Sequence, residues 1–109
     1  PIAQAEAKRK TAEARFLALQ STIQGEIDIA LASYQASRAK ATTAAQLAQE
    51  AASSSATTRR MVEAGQVSAL ELTRRQIEAS TANVALLGAQ IEAQTAAGAL
   101  EDAMQASLH

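Results

Sequence analysis

Two stretches of seven-residue periodicity, separated by one break, organise this chain. Apolar side chains recur as Leu70, Ile77, Val84 and Ile91, with Gly98 next in step. A strict seven-residue apolar period predicts an α-helix wound into a left-handed supercoil. Counting back from the break, Val62, Ser55, Ala48, Ala41, Tyr34 and Ile27 fall at the same spacing. Laid antiparallel, Val62 pairs with Leu70, Ser55 with Ile77, Ala48 with Val84, Ala41 with Ile91 and Tyr34 with Gly98, at a constant index sum. Large residues of the second stretch then face small ones of the first, and small residues let helix axes approach closely. The pattern predicts an all-α fold, an antiparallel two-helix coiled-coil hairpin with a long first arm and a shorter second arm. Arm one covers about 1–64 and arm two about 69–108, or about 95 Å and 60 Å at the α-helical rise.

The break has its own chemistry. Gly65 follows a long helix-favouring run and is the natural left-handed residue just past a helix end. Ser68 and Glu71 have the spacing of a capping box, in which the hydroxyl accepts from the Glu71 backbone N–H and the Glu71 carboxylate accepts from the Ser68 N–H. Val67 and Leu72 then occupy the positions of a hydrophobic staple. A tight tip over about 63–68 follows.

The same register leaves apolar residues without partners. Arm two runs out opposite Ile23, so Ile2, Phe16, Leu17 and Leu19 face no helix of this chain, and this end should drive self-association through Phe16, Leu17 and Leu19 or be left frayed. Ile29, Leu31, Leu86, Leu87, Leu100 and Met104 fall outside the expected seam. Each exposed large side chain forgoes roughly 1.5–3 kcal/mol of burial, so other helices must supply the cover, from the same protein or from further copies.

Composition fits a thin rod. The chain has 109 residues with 48% hydrophobic but only 2% aromatic content, one proline and four glycines. Roughly a quarter of the residues are alanine, the best helix former and too small to build a globular core. The net charge of −1 gives no signal for nucleic acid. The absence of cysteine removes disulfide and thiolate chemistry and selects no compartment. No apolar run reaches the roughly 18 residues of a membrane-spanning helix. The chain opens at Pro1 without an initiating methionine, which reads as a segment excised from a larger protein.

Catalytic and metal constellations are missing from the pattern. His109 is the only histidine and the last residue, and reads as a chain end rather than a ligand. Glu26 with Asp28, and Glu101 with Asp102, are too close in sequence to share a helix face. No phosphate loop, nucleophile elbow, base dyad or cofactor motif occurs. Lys8, Arg9 and Lys10 are balanced by Glu6 and Glu13 and read as a solvated face. Arg59, Arg60, Arg74 and Arg75 are brought to one end by the hairpin. They admit two readings: local salt bridging with Glu63, Glu71 and Glu78, or a charged collar flanking a docking tip.

A hairpin with a Gly-x-x-Ser tip, alanine-rich arms and uncovered outer faces resembles the periplasmic coiled-coil half-repeat of the TolC-like outer membrane efflux proteins. The resemblance covers essentially the whole chain. The opening Pro-Ile-Ala-Gln-Ala-Glu-Ala-Lys-Arg is similar to the point where family members leave the β-barrel for a long helix, more in the heavy-metal and cation branch than in the drug branch. Glu26, Ile27, Ala30 and Tyr34 match a Glu-Ile-x-x-Ala-x-x-x-Tyr pattern of the family. Gly65, Ser68 and Glu71 match its glycine, small hydroxyl and acidic tip positions. Thr73-Arg74-Arg75-Gln76 departs from the second carboxylate or Ala-Gln pair of many members, which speaks against an acidic gate or cation ring.

The resemblance implies a homotrimeric parent with its β-barrel in the outer membrane and a helical tunnel in the periplasm. The tip, chiefly Gly65, Gln66, Val67, Ser68, Leu70 and Glu71, would dock a periplasmic adaptor (membrane fusion) protein, which links to an inner-membrane pump. The segment would supply tunnel wall and docking surface in a tripartite export system, with no enzymatic activity, cofactor, metal or nucleic acid. The competing reading is a structural or signalling coiled-coil hairpin of chemoreceptor type, whose arms should be equal and whose tip should carry interaction residues over a longer stretch. An exchangeable lipid-binding helix would need a wide leucine-rich or aromatic face, which the alanine-dominated seam lacks.

Overall fold

Helix α1 spans Ile2–Glu63 and helix α2 spans Ala69–Ser107, and the two lie antiparallel against each other in the computed structural model, which describes residues 1–108. Alanine and straight-chain residues favour such long helices. The scattered threonines fit because Thr11, Thr22, Thr42 and Thr73 each donate a hydroxyl hydrogen bond to the carbonyl four residues earlier. The molecule measures 95 × 15 × 15 Å with a radius of gyration of 26.0 Å. A compact domain of this length would have a radius of about 13 Å. Its accessible surface of 8189 Å² likewise exceeds the roughly 5,700 Å² of a compact domain of equal mass.

The seam on α1 is the expected one. Ile27, Tyr34, Ala41, Ser55 and Val62 are half-buried and Ala48 is buried. Between them Ala30, Ser37, Ala44, Ala51 and Thr58 complete an alternating three–four spacing, the mark of a coiled-coil face.

The seam on α2 is not the expected one. Leu70, Ile77, Val84 and Ile91 are 71%, 61%, 68% and 63% exposed, so they point away from α1. The residues turned inward are Leu72, Arg75, Ala79, Ala82, Leu86, Ala89, Ala93, Ala96, Leu100 and Ala103, again spaced three and four. Leu86 and Leu100, expected outside the seam, therefore lie within it. Pairing Ile77 with Ser55 and Val84 with Ala48 is wrong in rotation. It is right in height, because Lys40 and Glu92, whose indices have the same sum, form an ion pair at 3.0 Å across the hairpin.

The physical reason lies at the tip. The inward Leu72 and the outward Leu70 are separated by about 200° around the helix. Once the half-buried Val67 and Leu72 turn toward α1, the whole frame of α2 follows. The most deeply buried part of the seam is then small against small: its buried residues are Ala48, Ala89, Ala96 and Thr58, and no large side chain is fully buried among the described residues. Phe16, Leu17, Leu19, Ile29, Leu87 and Met104 are exposed, as the uncovered-face reading requires.

Candidate docking tip

The end of α1 is built by hydrogen bonds that only a left-handed residue allows. Ala64 caps the helix in right-handed geometry, and Gly65 follows at φ 75°. The Gly65 N–H donates to the Val62 carbonyl at 2.9 Å and the Gln66 N–H donates to the Met61 carbonyl at 2.8 Å. This pair of bonds is a Schellman motif, which satisfies carbonyls that a helix end otherwise leaves open.

The start of α2 is capped on one side only. Ser68 is extended, at φ −79° and ψ 157°, and its Oγ accepts from the Glu71 N–H at 3.4 Å. The reciprocal half of the capping box is absent. The Glu71 carboxylate instead accepts from Arg75 Nε at 3.1 Å and lies 3.7 Å from Arg74. Arg75 also donates to Glu78 at 3.2 Å. A guanidinium one turn along offers charge-assisted bonds that outcompete a neutral backbone N–H for the carboxylate.

These contacts divide the expected collar. Arg74 and Arg75 are engaged by acidic residues of α2. Arg59 and Arg60 have no carboxylate within 4.0 Å among the described residues, and Arg60 donates to Thr57 at 3.4 Å. Glu63 takes no part in an ion pair among the described residues. Exposed pairs of this kind contribute little stability.

Gly65, Gln66 and Ser68 are exposed, whereas Val67 and Glu71 are half-buried. Leu70 is exposed on the outer face of α2. Beneath the tip, Thr58, Met61, Val67, Ser68, Glu71 and Arg75 line a shallow groove. Thr58 and Met61 were not among the expected tip residues. The signal for Thr58 is its seam position, seven residues from Ala51 and four from Val62. His109 lies outside the described residues. Among the described residues no group of three or more acidic, histidine or cysteine side chains is placed to hold a metal ion, and no helix is long and apolar enough to cross a membrane.

Comparison of the chain with family models, curated proteins and solved structures gives no match. The functional reading therefore rests on the residues and their geometry.

Proposed function

We propose that this chain is a tunnel-wall and adaptor-docking segment of a TolC-like outer membrane efflux channel, lying on the periplasmic side. The parent protein is a homotrimer, its tips meet a periplasmic adaptor, and the adaptor reaches an inner-membrane pump. The role is mechanical rather than enzymatic. The observation that carries the reading is a 95 Å rod closed at one end by a backbone-specified turn. A turn locked by a Schellman motif presents a fixed surface to an end-on partner, so little ordering entropy is lost on docking. The uncovered apolar outer faces support the tunnel-wall half of the reading, because a wall helix needs neighbours on more than one side.

The test uses the full-length parent. Val67 is half-buried under the tip, so exposed Gln66 and Leu70 are the cleaner positions. Gln66→Trp and Leu70→Glu should abolish adaptor crosslinking and lower efflux while leaving helical content and trimer assembly intact. Unchanged efflux and crosslinking in both variants would reduce the tip to a turn and end the docking assignment.

A further inference from the structure

The two flanks of the hairpin differ in charge. On one flank Arg38 borders a groove with Thr42, Gln90 and Gln94. Its guanidinium stands 5.8 Å from the centre of the Tyr34 ring. No carboxylate lies within 4.0 Å of it among the described residues. Arg59, three heptads on, falls on the same flank of α1 and is equally without a carboxylate. The opposite flank is bridged by the Lys40–Glu92 pair. There α2 carries Glu71, Glu78 and Glu92 at heptad intervals.

The geometry points to a second copy of this chain, seated side by side with its tip at the same end. The arginine flank of one α1 then meets the glutamate flank of the next copy's α2. The spacings match, because Arg38 and Arg59 are three heptads apart and so are Glu92 and Glu71. At one constant index sum Arg59 lies level with Glu71, Ala52 with Glu78, Ala45 with Ala85, Arg38 with Glu92 and Leu31 with Ala99. That register lies two residues, about 3 Å, from the stagger within the hairpin, so the copies stand almost level. A slip of one heptad either way leaves at most one of the two arginines opposite a glutamate. Beyond Leu31 the same register sets Asp28 beside Asp102, a like-charge pair that ends the contact.

Exposed ion pairs give direction more than strength, so they select the flank and the register. Attraction comes from burying Ala45, Ala52, Ala85 and the exposed Leu31. Alanine opposite alanine lets the helices approach closely. Glu92 is half-exposed, and an ionised carboxylate has about four acceptor sites. The pairs within each chain are therefore kept. After one such pairing each copy still offers one flank of the other kind, the head-to-tail contact by which a homotrimer closes. The inference deepens the tunnel-wall reading and rests on it for the common direction of the tips.

Sedimentation and disulfide trapping of the full 109-residue chain test it, and neither reads adaptor docking. Association should pass beyond a dimer and weaken as salt rises, because exposed charges are screened. Arg38→Glu should raise the dissociation constant at least ten-fold with helical content retained. In a chain without cysteine, Ala45→Cys mixed with Ala85→Cys should form a mixed disulfide, and neither variant alone should crosslink. A monomer at millimolar concentration overturns the proposal, and so does a dimer as the end point. Association that survives Arg38→Glu and is lost in Phe16→Lys also overturns it, by placing the contact on the overhanging end of α1. Self-crosslinking of either cysteine variant overturns the register. If the tip variants leave efflux unchanged while the mixed disulfide forms, the docking assignment falls and the lateral contact stands.

Discussion

Gly65 and Ser68 decide more about this molecule than any larger residue. At φ 75°, Gly65 occupies backbone space in which a Cβ is strained although the surroundings are open. Gly65→Ala should therefore destabilise the hairpin by about 1 kcal/mol through the backbone alone. Ser68→Ala should cost less, about 0.5 kcal/mol, the low end for a lost N-cap. Its Oγ contact is long at 3.4 Å, and the same N–H also reaches the Ser68 carbonyl at 3.1 Å. Urea unfolding of the two variants, compared at equal chain concentration, measures both. A larger loss for Ser68→Ala than for Gly65→Ala would mean that the cap, and not the left-handed turn, holds the tip.

At the scale of the helix, α2 carries two faces with the same period and opposite content. The face on α1 is mostly alanine with Leu72, Arg75, Leu86 and Leu100 at intervals, and the opposite face is Leu70, Ile77, Val84 and Ile91. Size alone assigns the second set inward, yet burial by closely approaching alanines wins. Small residues on both helices shorten the interaxial distance and bring backbone as well as side chains into van der Waals contact. In dilute solution, Leu86→Ala should cost on the order of 1 kcal/mol from lost apolar burial, and Ile77→Ala close to nothing. Melting curves at low concentration check the ranking. The reverse order would return the ridge to the seam.

For the whole molecule, stability is spread unevenly along the rod. Between Ile23 and the tip α1 has α2 beside it, whereas Ile2 to Gln20 are exposed throughout. Local opening needs least energy where few contacts must be broken. Amide exchange in dilute chain should therefore be fastest over 2–20 and slowest near Ala48, Ala51, Ala89 and Ala96. Uniform protection along α1 would show that the overhang is covered by another copy. The ion pairs change this gradient little: the one across the hairpin, Lys40–Glu92, has side chains 63% and 55% exposed.

Helix number, helix limits, the position of the tip and the stagger of the arms were all legible in the residues. Each follows from local chemistry: alanine-rich runs without internal proline, a glycine that permits positive φ, a serine before an acidic residue, and a count back from the turn. The rotation of α2 was not legible from size and period, because its two faces repeat every seven residues and an alanine-rich partner accepts either. The missing signal lay in Val67 and Leu72, since a half-buried Leu72 turned toward α1 forces Leu70 outward. Tertiary contact also redirected the Glu71 carboxylate from the Ser68 N–H to Arg75, a competition between nearby donors that spacing does not rank. Sequence determined where the chain turns, because turning is a property of a few adjacent backbones. Structure decided which face is buried, because that is settled by how closely two whole helices can approach.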